Sequence, residues 1–167
     1  MGTDAHHAAR VFRRTHLMES FPQAMEYAVQ TDAAALVAAG YIDRAGGTAE
    51  DTWVDLHFRY LGKLTLRHVW SAATKPMCVA VNPDRVETLS DVRSIALHPA
   101  TKTFADALSP DSHRVYVEAK PKAVALAEDG ATDACIGSVD VVDGTRLKIM
   151  KRFNPSMVWC LYTRAES

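Results

Sequence analysis

Apolar and polar residues follow two patterns along the chain, one with the period of a helix and one typical of strands. Apolar positions three and four residues apart predict helices at 5–14, 51–61, 101–108 and 121–129, and a further helix that Ser20 caps. Short apolar or alternating runs predict strands at 33–39, 64–70, 76–81, 94–97, 114–117, 133–137, 147–152 and 157–162. Because helices and strands alternate with short connections, the pattern predicts an α/β fold with largely parallel sheets.

The start of the chain does not follow this alternation. Gly2 and Thr3 directly precede the first predicted helix, whereas an α/β chain of this kind normally opens with a strand. We therefore expect that the first strand is missing or comes from elsewhere, for example from a partner chain.

Composition and charge narrow the classes of partner. The chain has 167 residues, of which 48% are apolar, which suits one domain or two small lobes. The formal net charge is −1, so the chain does not produce the positive field that non-specific nucleic-acid binding requires. No apolar run approaches the ~20 residues of a membrane span, and the first residues do not resemble a secretory signal. We expect a cytoplasmic protein that binds neither nucleic acid nor membrane.

The cysteines and the short motifs argue against a metal or a cofactor. Cys78, Cys135 and Cys160 lie far apart, each in an apolar stretch, whereas a zinc site or a disulfide framework requires closely spaced pairs. We interpret them as small buried hydrophobic residues. The sequence also lacks phosphate-loop and dinucleotide-binding motifs, so no cofactor is expected.

Four short motifs, in matching order and spacing, resemble those of prephenate dehydratases. Segment 2–12 resembles the second half of their G-P-x-G-T-x-S turn and helix, and segment 97–99 resembles their S-H-P. Segment 133–138 resembles their A-A-I-x-S strand end, and segment 154–159 falls where they carry N-x-T-R-F. The resemblance implies a two-lobed fold like that of type II periplasmic binding proteins. It also implies a homodimer and a small dicarboxylate substrate such as prephenate.

The departures from the dehydratase pattern fall at active-site positions. The threonine and arginine of T-R-F are replaced by Ser156 and Met157, and the Glu-Asn of V-P-x-E-N-S is replaced by Gly40 and Tyr41. The serine of the first turn becomes Ala5. A site that loses its cation and several hydroxyls is not expected to run the dehydratase reaction.

A sibling family fits better, because Pro76-Met77 and segment 157–162 are similar to the prephenate decarboxylases of bacilysin biosynthesis. That resemblance implies a cofactor-free decarboxylation that does not aromatise the ring. Prephenate loses its ring carboxylate, keeps its 4-hydroxyl and gains a proton on a ring carbon. An enzyme avoids aromatisation by offering no acid to the hydroxyl, and methionine cannot stabilise charge on a leaving oxygen. An apolar patch around the ring carboxylate favours its loss.

The resemblance and the need to hold a carboxylate select the candidate site residues. A carboxylate is held by a helix N-terminus or by a cation. The expected ligand site is a cleft between one lobe formed by 1–75 with 155–167 and a second lobe formed by 76–154. We expect catalytic roles for Thr3, His98 and Ser156, and substrate contacts from Gly2, Tyr41, Lys120, Met157 and Thr101.

Each of these residues also has a purely structural interpretation. Thr3 and His98 can cap helices, Tyr41 can pack in a core, Lys120 can be a solvated lysine and Ser156 a plain strand residue. Two functional alternatives also stay open. One is a true prephenate dehydratase that gives phenylpyruvate, and the other is a non-catalytic domain that binds an aromatic or chorismate-derived acid.

Overall fold

The computed structural model describes residues 4–45 and 48–166, which divide into two compact units. The first unit combines residues 1–74 with 156–167, and the second comprises residues 75–155. Gly2 and Thr3, and the expectation of a missing first strand, lie outside the described residues. The mixed α/β class that the sequence predicts is confirmed.

The first unit holds three helices and five strands among its described residues. They are α1 (Asp4–Ala8), α2 (Phe21–Gln30), β1 (Ala35–Ala38), β2 (Ile42–Ala45), β3 (Thr48–Thr52), α3 (Trp53–Arg59), β4 (Leu64–Ala73) and, after the second unit, β10 (Ser156–Arg164). The predicted first helix is shorter than expected, because a 3₁₀ turn at Ala9–Val11 follows α1. As expected, Ser20 caps α2, and its side chain accepts a hydrogen bond from the backbone N–H of Gln23 at 3.3 Å.

The sheet of the first unit is antiparallel, so the prediction of largely parallel sheets is wrong here. Its order is β1-β10-β4, and β10 pairs antiparallel with both neighbours. β1 and β4 run in the same direction, but β10 lies between them. A second error is the start of the third helix, because β2 and β3 form an antiparallel pair and α3 begins only at Trp53. The period of apolar residues identifies a strand but does not report its direction or its partner.

Strand β10 supplies side chains to two hydrophobic clusters, because alternate residues point to opposite faces of the sheet. Trp159 packs with Ala8 and Ala38 in one cluster. Cys160 and Tyr162 belong to the other cluster, which also contains buried residues of α2 and α3. Trp159 and Tyr162 are the two largest fully buried side chains among the described residues, with 2% and 1% exposure.

The second unit is built on a mixed five-stranded sheet. Its elements are β5 (Met77–Val81), β6 (Ser94–Leu97), α4 (Lys102–Leu108), β7 (His113–Tyr116), α5 (Lys120–Glu128), β8 (Ala134–Ser138), α6 (Val139–Val142) and β9 (Lys148–Phe153). The strand order is β7-β6-β8-β5-β9. β6 runs parallel to β7 and β8, whereas β5 runs antiparallel to β8 and β9, so only half of this sheet is parallel as expected.

Close packing between α5 and β8 requires a glycine in the strand. A Cβ atom at Gly137 would lie 2.4 Å from Cγ2 of Val124 on α5, which is too close for any side chain. The absence of a side chain therefore lets the helix approach the sheet. This contact positions the start of α5 beside the end of β8.

The three cysteines are buried, as the sequence predicts. Burial raises the pKa of the Cys78 thiol to about 11 and that of Cys135 to about 12. At neutral pH both are thiols that pack as small hydrophobic residues. No helix within the described residues has the length and apolar character needed to cross a membrane.

A buried carboxylate ties β6 to the loop before β8. Asp133 accepts hydrogen bonds from Arg85 Nε at 2.7 Å and from the backbone N–H groups of Arg93 and Ser94, both at 3.0 Å. Burial alone would raise the pKa of Asp133, but these bonds outweigh it and hold the pKa below its ordinary value. The ionised carboxylate is therefore the form that stabilises the fold.

We predict that Asp133→Asn lowers the free energy of unfolding by about 1–3 kcal/mol, because an amide nitrogen cannot accept the bonds that one carboxylate oxygen now accepts. The stabilisation from Asp133 is present above the pKa of about 3.9 of an unfolded aspartate and is lost as the pH falls through the lower folded value. Urea denaturation from pH 7 down to pH 3 checks both effects. The exposed Asp111→Asn is the control, and equal pH profiles for Asp133→Asn and the wild type would contradict the prediction.

Candidate functional site

Polar side chains collect at one edge of the second unit's sheet. The parallel strands β6 and β8 end at Leu97 and Ser138, so His98 and Ser138 lie at the same edge. The antiparallel β5 begins there, because Met77 pairs with Ser138. In open α/β sheets, ligands bind outside the carboxyl ends of parallel strands. This edge is therefore a candidate binding site within the second unit.

His98 connects β6 to the following turn and presents a defined ring nitrogen. Its Nδ1 accepts a hydrogen bond from the backbone N–H of Ala100 at 3.2 Å, so His98 caps the turn at Pro99–Thr101. Because Nδ1 acts as an acceptor, the proton of the neutral ring is on Nε2. Nδ1 of His98 therefore caps the turn, and Nε2 carries the N–H that can donate a hydrogen bond.

Thr101 is committed to the backbone of the same turn. Its Oγ1 donates to the carbonyl oxygen of His98 at 2.7 Å, and its backbone N–H donates to the same oxygen at 2.9 Å. The residue is only 4% exposed. In the described structure the hydroxyl therefore orders the turn that carries His98.

Lys120 is the first residue of α5, and its ammonium group reaches the sheet edge. Its Nζ lies 3.4 Å from the Sδ atom of Met77, the residue that pairs with Ser138. Ala119, the residue before α5, makes no side-chain cap to the helix. The structure therefore brings Lys120, Met77 and Ser138 together at the start of a helix, an arrangement that suits an anion.

Sequence reasoning missed two features of this edge. Ser138 is 8% exposed and directly precedes α6. It lies in segment 133–138, which resembles a dehydratase motif, but it is not among the predicted site residues. Lys75 Nζ lies 2.9 Å from Asp140 Oδ2 in α6, and this hydrogen bond lowers the pKa of Asp140. A serine between a buried strand and a helix is a local signal for Ser138. The ion pair joins residues far apart in sequence and has no such signal.

Tyr41 lies in the first unit, in the core that contains α2. Its ring packs against Phe21 with centroids 5.3 Å apart, and its backbone carbonyl accepts a hydrogen bond from Trp53 at 3.0 Å. Burial, and then the charges of Asp51 and Asp43, raise the pKa of the phenol. These contacts match the packing interpretation of Tyr41.

Ser156 and Met157 open strand β10 on opposite faces. Ser156 pairs with Ala73 and is exposed, whereas Met157 packs against the cluster of Ala8, Ala38 and Trp159. Tyr41 packs against the other cluster of this unit. The structure therefore places Met157 and Tyr41 in different clusters, although both are departures from the dehydratase pattern.

Gly40 and Met157 are in direct contact. A Cβ atom at Gly40 would lie 3.1 Å from Sδ and 3.3 Å from Cε of Met157. By the resemblance described above, these two positions correspond to the glutamate and the arginine of the dehydratase motifs. In the structure, a glycine without a side chain and a thioether are therefore neighbours in space.

Two predicted site residues, Gly2 and Thr3, lie outside the described residues. Within residues 4–45 and 48–166, no group of three or more histidine, cysteine, aspartate or glutamate side chains is arranged to hold a metal ion.

No protein-family model matches the chain, and a comparison with curated proteins finds no match. Solved structures do match. A prephenate dehydratase from Staphylococcus aureus subsp. aureus Mu50 has a TM-score of 0.62 and 10% sequence identity, over 99% of this chain and 64% of that one. A prephenate dehydratase in complex with L-Phe from Arthrobacter aurescens has a TM-score of 0.54 and 16% identity, over 90% of this chain and 51% of that one.

A third structure, described as GqqA, a novel type of quorum quenching acylase, has a TM-score of 0.50 and 18% identity, over all of this chain and 63% of that one. The chain thus spans between about half and two thirds of the length of these proteins. At such low identities the similarity establishes the fold, which is that of prephenate dehydratases.

We predict that Thr101→Val lowers the free energy of unfolding by about 0.5–1.5 kcal/mol, because it removes a buried hydroxyl that donates to the His98 carbonyl. Urea denaturation measures the loss. The control Thr101→Ser keeps the hydroxyl and is expected to retain most of this bond. An unchanged stability in Thr101→Val would show that the hydroxyl does not order the turn.

Proposed function

We propose that the chain acts on prephenate, or on a similar cyclic dicarboxylate, and removes the ring carboxylate without aromatising the ring. The fold shared with two prephenate dehydratases supports the substrate class. The observation that carries the reaction type is the contact of Met157 with Gly40 in an apolar cluster, at positions where dehydratases carry ionisable residues. We further propose that the protein is cytoplasmic and forms a homodimer.

The proposed reaction balances without a cofactor. The bond between the ring and its carboxylate breaks and releases carbon dioxide, and the electron pair moves into the ring system. A proton then adds to a ring carbon, and the carbon–oxygen bond of the 4-hydroxyl stays intact. In the dehydratase reaction the same electron pair expels hydroxide, which requires an acid or a cation near that oxygen.

Met157 favours decarboxylation with the 4-hydroxyl retained, because its side chain has neither an acidic proton nor a charge. Its thioether donates no proton and carries no charge, so it does not stabilise a leaving hydroxide. The apolar neighbours Ala8, Ala38 and Trp159 bring no charge to this surface. A poorly solvated carboxylate loses carbon dioxide more readily, because the charge spreads as the bond breaks.

The edge of the second unit supplies the groups that hold and orient the substrate. Lys120 and the start of α5 are assigned to a carboxylate, because an ammonium group and a helix N-terminus both favour an anion there. We assign His98 as a hydrogen-bond donor to the substrate through Nε2–H, since Nδ1 accepts the N–H of Ala100, and the proton that adds to the ring carbon comes from solvent. Ser156, Thr3 and Gly2 keep the roles that the resemblance implies, and Tyr41 and Thr101 are assigned structural support.

One assay separates the proposed reaction from its rivals. The protein is incubated with prephenate at neutral pH, and the products are identified by absorbance and mass before any acid treatment. A non-aromatic dihydro-4-hydroxyphenylpyruvate supports the proposal, and phenylpyruvate alone identifies a dehydratase. Unchanged prephenate together with a rise in unfolding temperature on adding phenylalanine identifies a binding domain.

We predict that Met157→Arg increases the share of aromatic product, because a guanidinium group beside the substrate stabilises a leaving hydroxide. The ratio of phenylpyruvate to dihydro product measures this. Met157→Leu, which is similar in volume and equally uncharged, is the matched control and is expected to keep the wild-type ratio. A soluble, folded Met157→Arg variant with that same ratio would refute the role of Met157.

We predict that Lys120→Met raises KM about tenfold or more with a smaller change in kcat, because a charge-assisted hydrogen bond contributes about 1.5–3 kcal/mol. Steady-state kinetics with prephenate measure both constants. The control is Lys122→Met, which removes an exposed lysine from the first turn of the same helix. Equal effects of the two substitutions would indicate long-range charge rather than a contact with the carboxylate.

A further inference from the structure

Gly40 has no backbone reason to be a glycine. It follows β1 in a turn, and the glycines with positive φ among the described residues are Gly62 and Gly130. Any residue can therefore adopt the backbone of Gly40. What glycine provides at this position is space.

That space is filled by the end of one side chain. A Cβ atom at Gly40 would come within 3.1 Å of Sδ and 3.3 Å of Cε of Met157, the two atoms within 4 Å among the described residues other than the chain neighbours of Gly40. Both distances are shorter than ordinary van der Waals contact, so even a methyl group would require the thioether to move. Methionine has three rotatable side-chain bonds and fills irregular gaps, so its position depends on what surrounds it.

We infer that Gly40 is a positioning residue that sets the product of the reaction by holding the thioether of Met157 in place. This inference rests on the proposed function, in which Met157 lies beside the substrate. The cluster of Ala38, Ala72 and Trp159 supports one side of Met157, and the bare backbone of Gly40 supports the other. Two residues far apart in the sequence thus act as one unit.

Displacing the thioether has a defined chemical consequence. A methionine in another rotamer no longer covers the same surface, and water enters the volume that it leaves. Water can donate a proton to the 4-hydroxyl, which then departs and leaves an aromatic ring. A side chain at Gly40 should therefore change which product forms more than how tightly prephenate binds.

The physical coupling is tested without any turnover, by thermal unfolding of Gly40→Ala, Met157→Ala and the double variant. We expect Gly40→Ala to lower the unfolding midpoint when Met157 is present and to leave it unchanged or raised in the Met157→Ala background. The matched control is Gly144→Ala, whose Cβ would meet only the Val141 carbonyl oxygen at 3.7 Å. An equal shift from Gly40→Ala in both backgrounds would overturn the inference.

The consequence for specificity is tested by the product ratio on prephenate. Gly40→Ala is expected to raise the aromatic share about two- to tenfold, which corresponds to forcing one side chain off its rotamer, with KM little changed. Gly144→Ala should leave the ratio as it is. Coupled unfolding with an unchanged ratio would refute the specificity role alone. If the wild-type protein does not convert prephenate, the proposed function fails, while the unfolding cycle still decides the contact.

Discussion

The first unit depends on one strand that arrives from the far end of the chain. β10 lies between β1 and β4 and pairs antiparallel with both, so neither of those strands has another partner within the described sheet. Its buried Trp159 and Tyr162 contribute to the clusters on the two faces of that sheet. Burial of large aromatic side chains is a dominant favourable term in folding. The sheet and core of the first unit therefore depend on a strand that follows the whole second unit in the sequence.

The same strand determines what chemistry the first unit offers. Its opening residues are Ser156 and Met157, and the pairing with β1 brings the start of β10 to the turn that contains Gly40. Ala39 N donates to the carbonyl oxygen of Val158 at 2.9 Å and continues the pairing beyond β1. The register between β1 and β10 therefore places the uncharged thioether of Met157 against Gly40.

The second unit uses a different device. Three elements follow strand ends at one edge of its sheet, so His98, Lys120 and Ser138 gather there although they are separated along the chain. The missing side chain of Gly137 lets α5 lie close to β8, which carries Lys120 to within 3.4 Å of Met77. At this edge the ammonium group of Lys120 lies at a helix start, which suits a carboxylate, and Lys75 is paired there with Asp140.

Local signals in the amino-acid sequence predict the positions of most helices and strands. Ser20 before Phe21, the apolar run of β5 and the left-handed Gly130 after α5 are each readable within a few residues. The resemblance to the dehydratase motifs further indicated that Gly40 and Met157 stand where those motifs carry a glutamate and an arginine. The β2–β3 pair was not predicted, because short polar strands have no apolar period.

Three features follow from the folded chain and have no local signal: the directions of the strands, the hydrogen bond from Thr101 to the His98 carbonyl, and the contact between Gly40 and Met157. Periodicity records which face of a strand is buried but not which strand lies beside it. Two residues more than a hundred positions apart become neighbours only when a strand pairs in one register, and no local pattern encodes that choice.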